Sequence, residues 1–270
     1  MARSICIVDS ITQPENVDGA AIIAGSHGGI SSARYAAQLG STGVIFNDAG
    51  IGKDEAGIES LPYLDEFDCP AATVDYRSAR IGDGVNMVKH GSIRHVNDTA
   101  EDVGCSIGQT VLDCVVTMND ADVDKVAMDV SNELFEEKRS GGAIPVWLLD
   151  SIGLVTEKHE GAIVIAGSHG ERLAGEKRSH VPTEIAGMTL FDAGVGKDGA
   201  GISRLATMND RGVPAAAVDV HTARIGDARS AWNDGVFSYV NNCAEVIGVS
   251  EGDTPHDFVD KVRAANQHSC

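Results

Sequence analysis

The sequence predicts an α/β protein, internally duplicated into two similar βαβ-type lobes with mainly parallel sheets related by a pseudo-two-fold axis. Three observations carry that expectation. Short apolar runs alternate with stretches of helical spacing, the pattern of βαβ units. The chain is also written twice. Ala24-Gly25-Ser26-His27-Gly28 returns as Ala166-Gly167-Ser168-His169-Gly170, Asp48-Ala49-Gly50-Ile51-Gly52-Lys53-Asp54 as Asp192-Ala193-Gly194-Val195-Gly196-Lys197-Asp198, and Ala79-Arg80-Ile81-Gly82-Asp83 as Ala223-Arg224-Ile225-Gly226-Asp227. From Asp48 onward the offset stays at 144 residues. Finally, what recurs is mostly polar and glycine-rich, whereas a fold needs only its apolar positions repeated.

Taken in order, Ile5-Cys6-Ile7-Val8 is a short apolar strand, and 20–24 is a second, ending at the Ser-His-Gly-Gly loop. Residues 31–39 have helical spacing. Gly43-Val44-Ile45-Phe46 is a third strand, ending at Asn47-Asp48-Ala49-Gly50, and a helix follows over about 54–67. Residues 71–75 form a fourth strand leading into Ser78-Ala79-Arg80, and helices over roughly 90–103 and 110–118 close the unit. The second copy opens at 144–152, where Leu149-Asp150-Ser151-Ile152 matches Val8-Asp9-Ser10-Ile11. Residues 120–140 are charged and helical in pattern and have no counterpart. The expected division is therefore 1–119 as the first repeat, 120–140 as a helical bridge and 141–270 as the second repeat.

Composition narrows the function. The 270 residues can bury a good core. A net charge of −19, with no run of Lys or Arg, argues against a nucleic-acid surface and against anionic lipid. No apolar run approaches a membrane span, and the N-terminal apolar stretch is too short for a signal peptide. The six cysteines form no CxxC, as expected of reduced thiols in the cytoplasm.

Each repeated motif follows a strand and precedes a helix, so in a parallel sheet all three converge on the carboxyl edge, where ligands bind. In Asp48–Asp54 the glycines allow close approach to a ligand, and Lys53 adds charge. The spacing is not that of a Walker A loop. His27, exposed between small residues, suits acid–base work, and Ser26 is a nucleophile or a helix cap. HxxxH, HExxH and CxxC are absent, so no metal site is expected. Arg80 offers a planar fork to a carboxylate or phosphate, or pairs with Asp83. The expected catalytic set is His27, Asp48, Lys53 and Ser26, and the expected substrate-binding set is Asn47, Gly50, Gly52, Arg80 and Asp83. Their second-lobe counterparts are His169, Asp192, Lys197, Arg224 and Asp227. The copies also differ: Asn47 becomes Phe191, Gly29 becomes Glu171, Tyr76 becomes Val220 and Arg77 becomes His221, and a charged stretch over 171–183 replaces the region around Ser31. Asn47 beside Asp48 can donate to an oxyanion where Phe191 cannot, so the chemistry is expected in the first lobe.

A strand running into Gly25-Ser26-His27-Gly28 resembles the glycine-rich nucleotide loop of universal stress proteins over about five residues. The glycine and Ser/Thr pattern that follows in that loop is missing here. Duplicated lobes that each supply Ser, Lys and Arg are similar in idea to the ring-opening amidohydrolases of cyanuric acid and barbiturate, which have three lobes and a different residue order. The leading expectation is a cytoplasmic enzyme, a hydrolase of amide-type C–N bonds. It would act on a small anionic or carbonyl-bearing metabolite with no organic cofactor, and a homo-oligomer is compatible. The runner-up is a lyase or isomerase working through an enolate-like intermediate. Two other readings are a non-catalytic anion-binding module and a fused dimer whose loops only stabilise the lobe interface.

Overall fold

The computed structural model describes residues 4–12, 17–126, 135–139, 141–172 and 181–267. Its first half contains β1 (Ile5–Val8), β2 (Ala21–His27), α1 (Ile30–Gln38), β3 (Gly43–Asn47), α2 (Ser60–Asp65) and β4 (Ala71–Val74). It continues through α3 (Gly84–His90), β5 (Ile93–Val96), α4 (Asp98–Asp102) and α5 (Val111–Asp120). The second half contains β6 (Glu136–Arg139), β7 (Val146–Leu149), β8 (Ile163–His169), β9 (Gly187–Phe191), α6 (Arg204–Asp210) and β10 (Ala215–Val218). It ends with α7 (Ala228–Asp234), β11 (Phe237–Val240), α8 (Asn242–Val246) and α9 (Pro255–Gln267).

These elements form two mixed, mostly parallel sheets alternating with helices. The five-stranded sheet runs β1-β2-β3-β4-β5 and the six-stranded sheet runs β11-β10-β9-β8-β7-β6. Among the described strands only β5, β6 and β11 pair antiparallel with their neighbours. Every residue of β2, β3 and β4 is buried, as is every residue of β8, β9 and β10. That is why these strands read as continuous apolar runs and not as alternating ones. On one face of the first sheet Ile22, Val44 and Phe46 pack on Ala33, Ala36 and Leu64. On the other, Ile23, Ile45 and Val74 pack on Met87, Val111, Cys114 and Met118. Each fully buried side chain of this size contributes roughly 1.5–3 kcal/mol of transfer free energy. The two halves also share a core: Ala49, Ala56 and Ile81 join the cluster of Phe191, Val220 and Ile225.

Three expectations about elements need correction. The helix expected over 90–103 is instead β5 followed by α4. Asn97 ends the strand, caps α4 by accepting from Ala100 N–H, and also accepts from Ala71 N–H at 2.8 Å. The helix expected over 54–67 is broken. Asp54 and Glu55 have φ of 52° and 59°, so a short 3₁₀ segment (Lys53–Ile58) precedes α2. The expected helical bridge over 120–140 carries β6, which pairs with β7. Its Glu-Glu-Lys-Arg sequence suits an edge strand, where charge discourages further pairing. Residues 127–134 and 140 of that bridge, and 173–180 of the charged stretch, lie outside the described residues.

Candidate functional site

The carboxyl ends of β1, β2, β7 and β8 face a cavity of about 240 Å³, lined from both halves. Ser26 and His27 enter it from the first half, Ser168 and His169 from the second. The pairing of β2 with β3 shifts register between Ile23 and His27, and that of β8 with β9 shifts between Ile165 and His169. Such irregularities re-aim side chains at a strand end. The serines hold the neighbouring strand exits: Ser26 Oγ accepts from Ile11 N–H at 3.0 Å and Ser168 Oγ from Ile152 N–H at 2.8 Å.

The histidines are fixed in a similar way. His27 Nδ1 accepts from Gly29 N–H at 3.1 Å, and His169 Nδ1 from Glu171 N–H at 3.3 Å. Burial lowers the His27 pKa to about 4. It pushes His169 well below the ordinary value, and the His27 and Arg204 charges act in the same direction. Both rings are therefore neutral at pH 7. With Nδ1 accepting, the proton sits on Nε2, which leaves two N–H donors. The rings meet edge-on, with centroids 6.4 Å apart. Among the described residues neither Nε2 has a hydrogen-bond partner.

Each histidine also touches the Arg-Ile-Gly-Asp loop of the other half. A Cβ on Gly226 would lie 2.9 Å from His27 Cε1, and one on Gly82 would lie 2.3 Å from Glu171 Cγ and 3.4 Å from His169 Cε1. These glycines have φ of +88° and +76°, so close approach and backbone conformation both call for glycine.

The remaining lining is polar and asymmetric. Asp150, at the end of β7, accepts from Ala228 N–H at 2.9 Å, and burial raises its pKa to about 6. Tyr35 and Ser151 line the cavity beside it. Arg204 is the one cation among the described lining residues. It is buried, donates to Glu171 O at 2.8 Å, and has its pKa lowered to about 10 by burial, so it keeps its charge.

Of the residues singled out in the sequence, Ser26, His27 and His169 line this cavity, while the others form contacts elsewhere. Asp48 is buried with its pKa raised to about 6. It accepts from Gly50 N–H, Tyr76 N–H and Arg94. Asp192 accepts from Gly194 N–H, Val220 N–H and Ser238. Asn47 accepts from Ala49 N–H and donates to Ala79 O, so its amide is spent on the chain. Asp83 caps α3 and Asp227 caps α7. The basic residues cross between halves: Lys53 Nζ to Asp234 at 3.0 Å, Lys197 Nζ to Ser78 O at 3.0 Å, Arg80 to Glu171 at 3.0 Å, and Arg224 to Glu59 at 2.8 Å. Backbone bonds cross as well, from Lys53 N to Val220 O and from Lys197 N to Tyr76 O. Between them Gly50 and Gly194 meet face to face; a Cβ on either would be about 3 Å from the other's Cα. A Cβ on Gly52 would meet Val220.

Asp150, Ser151, Tyr35 and Arg204 escaped the sequence reading. The repeated Asp-Ser-Ile at 9–11 and 150–152 was a usable signal, since two polar residues recur at a strand end. Replacement of Ser60 by Arg204 at the matched position was another.

Among the described residues no group of three His, Cys, Asp or Glu side chains is arranged to hold a metal ion, and no helix is long and apolar enough to cross a membrane. No protein-family model, curated protein or solved structure matches the chain.

Proposed function

We propose that the cavity between the halves is an acid–base site for a small carbonyl-bearing or anionic metabolite. One observation carries the reading. Two buried neutral histidines offer Nε2–H donors to the same cavity that Asp150, a carboxylate with its pKa near 6, borders. A base of that pKa can take a proton next to a carbonyl at neutral pH. Two desolvated donors stabilise the oxygen that becomes an enolate. Arg204 supplies the charge that draws an anion in, and Ser31, Ser32 and Tyr35 supply hydroxyls to orient it. A lyase or isomerase working through an enolate-like intermediate is therefore the reading favoured here. Hydrolysis of an amide-type C–N bond is second: the same donors suit a tetrahedral oxyanion, with Asp150 activating water. Ser26 is a poor nucleophile in this arrangement, because the His27 Nδ1 that would activate it is filled by Gly29 N–H.

The finer architecture belongs to this proposal. We read the halves as copies of one βαβ-type unit about an approximate two-fold axis, supported by the 144-residue offset and the reciprocal contacts of His27 with Gly226 and His169 with Gly82. In this reading Lys53, Arg80, Lys197 and Arg224 tie the halves together, while Asp48 and Asp192 each hold a loop of their own half. The protein would work in the cytoplasm without an organic cofactor.

The test has two stages. A thermal-shift screen of small carboxylates, 2-oxo acids and cyclic amides finds the ligand; a hundredfold excess over Kd adds about 2.7 kcal/mol of stability. Proton NMR in D₂O then follows exchange at the carbon next to the carbonyl. Wild type should exchange it, and Asp150→Asn should bind without exchanging. If Asp150→Asn both binds and exchanges at the wild-type rate, the assignment fails. Binding without any turnover by wild type would leave a binding module.

A further inference from the structure

We infer that the open edge of the five-stranded sheet is a self-association surface, on which β1, α3 and α5 of one copy meet the same elements of a second copy. The two sheets end differently. In the six-stranded sheet β6 lies antiparallel along β7 and covers that edge. At the matching edge of the other sheet β1 is outermost, and no described strand lies beyond it. Its outward side chains are apolar: Ile5 is 36% and Ile7 45% exposed. A bare, uncharged edge strand is an unfilled template for another strand.

The helices beside this edge tell the same story. Both α3 and α5 touch β1 and each other. Val85, Leu112, Val116 and the adjacent Ile107 are exposed large apolar residues. Adding the 144-residue offset gives Arg229, His256, Asp260 and Glu251, all of them exposed. Four matched surface positions are thus exposed in both halves, but apolar in one and polar in the other. A solvated surface explains the second half. It does not explain the first, where the pattern is that of a contact face.

Charge and area point to a second copy as the occupant. With a net charge of −19, two copies approach most easily where acidic residues are sparse, and at these four positions this face is apolar where the matched face carries Glu251 and Asp260, with exposed Asp113 beside Leu112 on α5. Ile5, Ile7 and the four other side chains expose on the order of 500 Å² of apolar surface, much of the roughly 800 Å² that each partner buries in a standard interface. A two-fold axis through this edge sets β1 antiparallel to its mate. That is also the sense in which β6 caps β7. Burying α3 and α5 around that pair makes the contact isologous.

Sedimentation equilibrium of the full chain tests this, with hydrogen exchange at β1 alongside. Wild type should sediment at twice the chain mass, and outward-facing amides of β1 should gain protection as concentration rises. The triple variant Val85→Arg, Leu112→His, Val116→Asp installs the residues that the second half already carries at matched exposed positions, and it should weaken the dimer at least tenfold with an unchanged circular dichroism spectrum. Ile7→Lys gives the same reading from the strand should the triple variant unfold. A wild-type chain that stays monomeric at ~100 μM overturns the proposal, as does a dimer whose affinity neither variant changes. Capture of a different protein by a monomeric chain is also a refutation.

Discussion

His27 and His169, from opposite halves of the chain, meet edge-on with ring centroids 6.4 Å apart, and each has its Nδ1 tied to a backbone N–H. Neither can accept a proton at Nδ1 without losing that bond. They therefore act as donors, and their substitution should read as loss of donors. Either His27→Ala or His169→Ala should cut kcat by about 100-fold, the scale of one oxyanion-hole donor. Measured pH–rate profiles should keep the acid limb contributed by Asp150. A variant that abolishes that limb instead would make the histidine the base.

The same burial gives a stability signature. His27 has a folded pKa of about 4, below the 6.5 of the free side chain. Between those values the unfolded chain binds more protons, so its contribution is fully present above pH 6.5 and is lost as pH falls toward 4. At 1.36 kcal/mol per unit this amounts to on the order of 3 kcal/mol. Urea midpoints of His27→Ala should therefore change less between pH 6.5 and 4 than those of wild type. Identical slopes would mean that the ring is not neutral and buried.

Asp150 has the opposite sign. Its folded pKa of about 6 lies above the 3.8 of the free side chain, so the folded protein binds the proton more tightly and stability falls as pH rises through that window. The neutral amide of Asp150→Asn keeps the shape without the cost. The variant should be more stable than wild type at pH 7.5, by on the order of 2 kcal/mol, while losing turnover. Stability gained with activity lost is the mark of a strained functional group. A loss of both would make Asp150 structural.

Much of the fold was legible because β2, β3, β4 and their partners in the other sheet are buried on both faces, and continuous apolar runs between glycine-rich loops admit few other readings. What was missed followed from tertiary context. Nothing local in Ile93-Arg94-His95-Val96 chooses strand over helix; pairing with β4 does. The charged residues of β6 read as helix formers because a single sequence does not show which strand they lie beside. The site was half legible. Repetition drew attention to Ser26, His27 and His169. It also drew attention to Lys53 and Arg80, which cross between the halves, and to Asp48, which holds a loop of its own half, since such structural contacts recur in a repeat as faithfully as a site does. Tyr35 and Arg204 break the repeat, and asymmetry was the signal that would have found them.

Arg80 and Glu171 form a contact between halves whose strength should depend on pH. The Glu171 carboxylate is 2% exposed and has its pKa raised to about 7, chiefly by burial, with Arg80 opposing the rise. Below pH 6 Glu171 is protonated and gains little from a cation. Above pH 8 it is charged, and without Arg80 it is buried with Ser203 as its other polar partner. Arg80→Ala should thus lower stability by about 1–3 kcal/mol at pH 8 and clearly less at pH 6. Equal losses at both values would assign the effect to lost packing of the arginine stem.

The last prediction separates residues that shape the cavity from those that merely bridge the halves. Lys53 pairs with Asp234 at 3.0 Å, and both side chains are substantially exposed. Such pairs contribute about 0–1 kcal/mol, so Lys53→Ala should leave Tm and turnover nearly unchanged. Gly226→Ala differs, although it removes no functional group. Its φ of +88° is strained for any Cβ, and that Cβ would sit 2.9 Å from His27 Cε1. The strain costs on the order of 1–3 kcal/mol, and relieving the contact must turn the His27 ring or push the halves apart. Gly226→Ala should therefore lower both stability and ligand affinity, with affinity falling at temperatures where the variant is still fully folded. If Lys53→Ala proves the more damaging of the two to turnover, the catalytic centre lies at the Asp48–Lys53 loop and not between the histidines.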